Sequence, residues 1–195
     1  MRMRTVIHAV WLASVALAGT SCGDVVRTGR SPVYLIMDSL LGQRGGNASA
    51  AFGTPLSSDV ITNTVTFADL GQVTLRVAPK DVTSVVGPTT NNDVTVTRFH
   101  VGYHRSDGRN TEGLDVPFAF DGAVTGTVGA GGSAATLTFE LVRAVAKRET
   151  PLVNLVSSQT VVTTIADVTF FGRDQAGNEV TVTGLIQVDF GNFGD

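Results

Sequence analysis

Cysteine is almost absent from this chain of 195 residues, which contains only Cys22. The region after it therefore lacks a disulfide bond and a cysteine-ligated zinc site. The sequence also lacks the Gly-x-Ser-x-Gly, His-Glu-x-x-His and phosphate-loop motifs of common hydrolases and nucleotide-binding proteins. We therefore predict a protein with no catalytic residues and no cofactor. An envelope hydrolase that uses paired carboxylates leaves no local motif, and it is kept as an alternative.

An export signal occupies the start of the chain. Arg2 and Arg4 precede an apolar run at residues 6–18, and residues 19–21 are small. This is the layout of a secretory signal peptide, and the run is too short for a permanent transmembrane helix. We assign residues 1–21 to the signal peptide and exclude them from the fold.

Cys22 directly follows this segment, and two processing routes are open. Thr20 and Ser21 resemble the small residues that precede the acylated cysteine of bacterial lipoproteins, although Gly19 stands where that family usually has leucine. Cleavage after Ala18 is the alternative, and it leaves a soluble periplasmic or secreted protein. We favour lipidation, because an unpaired cysteine in an exported protein is otherwise prone to oxidation.

The lipoprotein resemblance implies a bacterial protein held at a membrane, since several acyl chains anchor stably. Residues 22–31 are then the lipidated cysteine and a short polar tether, and residues 32–195 form one domain. Gly23 follows Cys22 where some bacteria place an aspartate as an inner-membrane retention signal. This favours the outer membrane or the cell surface.

The charge balance limits the partners. The whole chain has 14 basic and 17 acidic side chains. Because cleavage of the signal peptide removes Arg2 and Arg4, the mature chain has a larger net negative charge than the whole chain. A mildly acidic surface argues against nucleic acid, which requires a basic face. The remaining candidates are another envelope protein or a surface polymer.

Alternating apolar residues predict β-strands along most of the mature chain. Residues 73–77 and 137–141 alternate cleanly, and turn residues separate the apolar segments. Residues 59–67 are predicted as a strand with Ile61, Val65 and Phe67 in the core. In the strand at residues 94–105 the apolar parity changes, which predicts a β-bulge around Thr97-Arg98. The pattern predicts about eight or nine strands in an antiparallel β-sandwich.

Two stretches resemble immunoglobulin-like and fibronectin-type-III-like domains of bacterial exported proteins. One is FHVGY at residues 99–103, followed by the turn Asp107-Gly108. The other is FFGRDQAGN at residues 170–178, followed by a Val/Thr strand. The resemblance implies that they are the central strand and the penultimate strand with its hairpin turn. It also implies an extra hairpin or long loop between residues 113 and 159.

Two kinds of side chain are candidate metal ligands. His100 and His104 share one face of a strand, but four residues place them about 13 Å apart, too far for a shared zinc ion. Oxygen ligands collect at predicted turns, and they suit calcium in principle. These low-priority calcium candidates are Asp93, Asp107, Asp174 and Asn178. Turn chemistry explains the same residues, because Asn, Asp and Gly dominate tight turns.

Taken together, these features favour a non-enzymatic cell-envelope lipoprotein whose β-sandwich binds a partner or serves a structural role. The alternative outside this class is a carbohydrate- or calcium-binding module, which needs exposed aromatic side chains or a clustered acidic site. Phe52 is the aromatic residue that the sequence marks as a candidate for exposure, in a loop rich in Gly, Ala and Ser.

Overall fold

A computed structural model describes residues 29–47, 49–83 and 87–194. The proposed signal peptide, Cys22 and most of the proposed tether lie outside these residues. Eight strands lie within them: β1 (Val33–Gln43), β2 (Leu56–Asp59), β3 (Asp69–Pro79), β4 (Val94–His104), β5 (Phe120–Val128), β6 (Ala135–Val142), β7 (Val162–Asp174) and β8 (Glu179–Gly191). Three short 3-10 helices accompany them: Thr90–Asn92, Ala146–Arg148 and Leu152–Leu155. The predicted number of strands is confirmed.

The strands form two sheets that pack face to face. One sheet has three strands in the order β1-β3-β6, and the other has five in the order β2-β8-β7-β4-β5. All neighbours are antiparallel except β2 and β8, which run parallel. The predicted all-β sandwich is confirmed.

Phenylalanine rings from both sheets fill the space between them. Phe139 of the three-stranded sheet lies 5.1 Å, centroid to centroid, from both Phe99 and Phe170 of the five-stranded sheet. Phe139 pairs across the ladder with Gly71, and Phe99 pairs with Gly122. A Cβ atom at either glycine would lie within 2.3 Å of the partner ring. Glycine is therefore required at both positions, because the ring occupies the space of the missing side chain.

The predicted bulge in β4 is confirmed. The register of β4 against both β5 and β7 shifts between Val96 and Arg98. The extra residue lets Val96 and Phe99, which differ in parity, both point into the core, where they are 0% and 3% exposed.

The prediction for residues 59–67 is wrong. Strand β2 ends at Asp59, and a tight turn closes between Thr62 and Val65, whose backbone groups exchange two hydrogen bonds of 2.9 Å. Val65 and Phe67 are 46% and 39% exposed, and Val60, of the opposite parity, is fully buried. Of the predicted core residues only Ile61 packs against the core, and it is partly buried. The alternation therefore reflected a surface turn, and the short strand β2 before it went unpredicted.

The connections between strands divide between the two ends of the sandwich. At the tether end, residues 29–32 enter the fold, and Val33 pairs with Pro79 while Arg173 pairs with Glu179. At the opposite end, Gln43 pairs with Leu70. We call this the long-loop end, and it carries the connections 44–55, 60–68, 105–119 and 143–161.

Candidate functional site

A fully buried ion pair lies beneath the long-loop end. The Nζ atom of Lys147 donates to Oδ1 of Asp69 over 2.8 Å, and their side chains are 1% and 0% exposed. The same carboxylate accepts hydrogen bonds from the Gly45 backbone N–H (2.8 Å) and the Ser58 hydroxyl (2.5 Å). Asp69 begins β3 and Lys147 lies in the 3-10 helix after β6, so this carboxylate joins four separate segments of chain.

A second charged pair lies beside the first. Asp59, which is 2% exposed, accepts a hydrogen bond from the guanidinium group of Arg44. It also accepts from the Thr62 hydroxyl (3.0 Å) and from the backbone N–H of Phe193 (3.3 Å). The two cations balance the two carboxylates, so the cluster as a whole is neutral.

The environment of this cluster shifts two pKa values. Burial lowers the pKa of Lys147, and the charge and hydrogen bond of Asp69 oppose that shift. Burial raises the pKa of Tyr103, and the negative charge of Asp69 adds to this effect. The Tyr103 hydroxyl donates to the Leu141 carbonyl oxygen over 2.6 Å and so joins the two sheets. These groups are buried, and each has a hydrogen-bond partner. The cluster therefore holds the surrounding loops in place.

Further hydrogen bonds connect the loops of the long-loop end to one another. Arg148 Nε donates to the Thr66 hydroxyl over 2.7 Å. The Thr150 hydroxyl donates to the Gly113 carbonyl oxygen over 2.6 Å. The 143–161 connection is therefore held to both the 60–68 and the 105–119 connections.

The turn at the rim of this surface adopts an unfavourable backbone conformation. Asn63 and Thr64 have φ values of 47° and 67°. Two-residue turns with both central residues at positive φ favour Asn-Gly, and a β-branched residue such as threonine is rarely found there. Backbone outliers of this kind concentrate at functional sites.

Exposed apolar side chains are concentrated at the long-loop end, where they lie among exposed polar side chains of the same connections. Nine of the twelve exposed large hydrophobic residues in the described part of the chain belong to it. They are Val65, Phe67, Leu70, Leu114, Phe118, Val145, Val153, Val161 and Phe193. The buried charges and the exposed apolar residues at the same end of the sandwich together form the candidate site.

The outer face of the five-stranded sheet is polar instead. His100 and His104 both lie there, with side chains 40% and 38% exposed, as the sequence predicted. Nδ1 of His104 lies 2.6 Å from Asp167, and Nδ1 of His100 lies 3.4 Å from Asp121. Each imidazole therefore has its own carboxylate partner on a neighbouring strand.

The calcium candidates lie at both ends of the sandwich. Asp107 lies at the long-loop end, where the hydrogen bond from Arg105 and then those from Arg109 lower its pKa to about 2. The other three lie at the tether end: Asp93 accepts from the Ala130 N–H, and Asp174 accepts from Asn178.

Burial alone raises the pKa of Asp174, but hydrogen bonds from Asn178, Ser31 and Ala176 outweigh burial and lower it. Each carboxylate thus serves a turn of the chain. Across residues 29–47, 49–83 and 87–194, no three His, Cys, Asp or Glu side chains are close enough together to hold a metal ion.

Four further aromatic side chains have different environments. Tyr103 is in the core, 7% exposed, whereas Tyr34 is 56% exposed. Phe52 is half-buried. Phe193 is 39% exposed and lies near Gly191, at the end of the last strand. Cys22, the proposed lipidation site, lies outside the described residues.

Sequence reasoning missed the buried cluster. Lys147 and Asp69 are separated by 78 positions, and no periodic pattern links them. One signal was present: each charged residue stands among apolar neighbours, Asp69 between Ala68 and Leu70 and Lys147 after Val145 and Ala146. Charged residues in such surroundings are buried only when they are paired.

Comparison of the chain with protein-family models, with curated proteins and with solved structures finds no match. Among the described residues, no helix has the length and apolar character needed to cross a bilayer.

Proposed function

We propose that this chain is a non-enzymatic lipoprotein of a bacterial cell envelope, and that its β-sandwich binds a partner molecule. The observation that carries the proposal is the separation of two features to opposite ends of the sandwich. The chain enters at the tether end, and the exposed apolar residues collect at the long-loop end. An anchored binding domain has this arrangement, because the binding surface then points away from the anchor.

The start of the domain is held firmly, which supports a fixed exit for the tether. Ser31 is 2% exposed and hydrogen-bonds the Asp174 carboxylate. Nζ of Lys80 donates to the Gly29 carbonyl oxygen over 3.1 Å. The tether therefore leaves from a defined point beside the turn between β7 and β8.

Within this proposal the sandwich is immunoglobulin-like or fibronectin-type-III-like. The two stretches that carry the resemblance lie on β4 and β7, which pair directly. In immunoglobulin-like domains the central strand C pairs with the penultimate strand F in the same way. Strands β5 and β6 and the two 3-10 helices of the 143–161 connection occupy the long separation between the two stretches.

The proposed anchor is tested by analysis of the mature protein from cells that produce it. We expect the N-terminal peptide to begin at Cys22 with acyl chains, and Cys22→Ala to release the protein from membranes. An unmodified N-terminus at Gly19 would show cleavage after Ala18 and would refute the anchor.

Calcium binding, the alternative raised by the sequence, has its own test. The structure assigns each of the three candidate carboxylates a protein partner, so we expect the melting temperature to be the same in calcium and in chelator. If calcium raised the melting temperature and Asp93→Asn abolished that increase, the protein would instead be a calcium-binding module.

A further inference from the structure

We propose that Lys147 and Asp69 condense to form an intramolecular amide bond, which joins the 143–161 connection covalently to the start of β3. The bond is independent of the proposed anchor at Cys22 and of any binding partner. The ion pair described above is the state from which it forms, and chains that have not reacted retain that pair.

The two reacting groups are already in contact in the folded chain. Nζ of Lys147 lies 2.8 Å from Oδ1 of Asp69, so the nitrogen is next to the carboxyl carbon that it must attack. Groups held in such contact react as parts of one molecule, which removes much of the barrier to a condensation. The side chains are 1% and 0% exposed, so the product is protected from hydrolysis by bulk water.

The buried environment favours the neutral forms that react. An ammonium group has no lone pair, so Lys147 must first give a proton to Asp69. Burial lowers the pKa of Lys147, and the opposing charge of Asp69 disappears in the same transfer. Moving the proton along this hydrogen bond removes both charges from a medium of low dielectric constant. The products are an amine and a carboxylic acid, which are the reactants for an amide.

The remaining steps need no other reactant. The lone pair of Nζ forms a bond to Cγ of Asp69, and the carbonyl electron pair moves onto Oδ2. A second proton passes from Nζ to Oδ1, the bond from Cγ to Oδ1 breaks, and Oδ1 leaves as water while the carbonyl at Oδ2 forms again. Of the three ammonium protons of Lys147, two leave in the water molecule and one stays on the amide nitrogen.

Neighbouring groups stabilise the charges that develop in these steps. The Ser58 hydroxyl donates to Oδ2 over 2.5 Å, and this is the oxygen that becomes negative after attack. The Gly45 backbone N–H donates to Oδ1, the oxygen that leaves. The negative charge of Asp59 stabilises positive charge on the Lys147 nitrogen, which that nitrogen carries once it has attacked.

Tryptic peptide mapping of the full chain, purified from producing cells, tests the bond directly. Trypsin cannot cut after a lysine whose amine is part of an amide. We therefore expect one branched peptide that joins residues 45–76 to residues 144–148. Recovery of Lys147 from the folded protein in linear peptides alone would overturn the proposal.

Intact mass gives a second measurement with a matched pair of variants. Lys147→Arg keeps the positive charge, but arginine stays protonated and cannot attack the carboxyl group. The chain has one other lysine, Lys80, whose Nζ hydrogen-bonds the Gly29 carbonyl oxygen. Relative to the mass calculated for each sequence, the parent and Lys80→Arg should be lighter than Lys147→Arg by one water molecule. Equal values in all three would contradict the bond.

These results do not depend on the fate of Cys22, because the parent and both variants have the same N-terminal sequence. The branched peptide of the parent decides the question even if Lys147→Arg does not fold. Ser58→Ala should slow the appearance of that peptide after pulse labelling by about 100-fold, since it removes the donor to the developing oxyanion. Formation at the rate of the parent would refute the proposed mechanism.

Discussion

The buried ion pair allows a quantitative test of what holds the long-loop end together. In Lys147→Met the carboxylate of Asp69 keeps its hydrogen bonds from Gly45 and Ser58 but loses its only salt-bridge partner among the described residues. Removing one member of a buried pair costs about 3–5 kcal/mol, because the remaining charge is left without a counter-charge. For a domain of this size that corresponds to a decrease in melting temperature of about 6–20 °C.

The assay is thermal and urea unfolding of the mature domain, followed by circular dichroism. The control variant is Arg173→Met, which breaks the exposed pair of Arg173 with Glu179, where the side chains are 59% and 37% exposed. Exposed pairs contribute about 1 kcal/mol or less, so the control should retain nearly the full stability. The double variant Lys147→Met/Asp69→Asn should recover much of the loss, because asparagine still accepts hydrogen bonds and carries no charge.

The pH dependence of Asp69→Asn gives an independent check. Burial lowers the pKa of Lys147, and Asp69 opposes that shift, so removing Asp69 should lower this pKa further. Between that value and the unfolded pKa, the unfolded chain binds a proton that the folded chain does not, and stability then rises with pH. The loss caused by Asp69→Asn should therefore shrink as the pH is raised from about 7 to 10.

Two results would refute this reasoning. A loss in Lys147→Met no larger than in Arg173→Met would show that the buried pair does not hold the loops. No recovery in the double variant would show that the loss comes from packing of the lysine stem rather than from an unpaired charge. If Lys147→Met does not fold, the double variant and Asp69→Asn still decide between these explanations.

Three further predictions follow from single contacts. Thr64→Gly should stabilise the domain by about 0.5–1 kcal/mol in urea unfolding, because glycine adopts the positive φ at this turn without strain; a loss of stability would contradict the strained turn. Tyr103→Phe should cost about 1–3 kcal/mol, since it leaves the buried Leu141 carbonyl oxygen without its donor, and a neutral result would argue against this bond between the sheets. Asp174→Ala should destabilise at neutral pH. Because the folded pKa of Asp174 is lowered, its contribution to stability is present above the unfolded pKa of about 4 and is lost as the pH falls through the lower folded value. If the difference in unfolding free energy between variant and parent stayed constant through an acid titration, this reasoning would be contradicted.

Several parts of the fold were predictable because they depend on local periodicity. Val73, Leu75 and Val77 alternate in sequence and are at most 3% exposed in β3. The bulge in β4 was visible as a change of parity, because side chains on a strand point to opposite faces in turn. Asp174 to Asn178 forms the predicted turn, with hydrogen bonds in both directions between the two residues.

Other parts were not predictable, because long-range contacts decide them. The alternation at residues 59–67 looked like a strand, but β2 finds its partner only in the last strand, β8, through a parallel pairing. The buried cluster likewise joins Arg44, Asp59, Asp69 and Lys147, which come from four different parts of the chain. A charged residue in sequence is ordinarily a surface residue, and only its partners make its burial possible.

The sequence by itself determined the β-rich class, most strand positions, the lack of disulfides and the proposal of an export signal with a lipidated Cys22. These depend on composition and on spacing over a few residues. Only the tertiary structure decided that the proposed tether and the exposed apolar residues lie at opposite ends of the sandwich. It also decided that a neutral cluster of buried charges lies beneath the end with the apolar residues. The physical reason is that the ends of a sandwich gather loops from distant parts of the chain, so their surface chemistry exists only after the strands have paired.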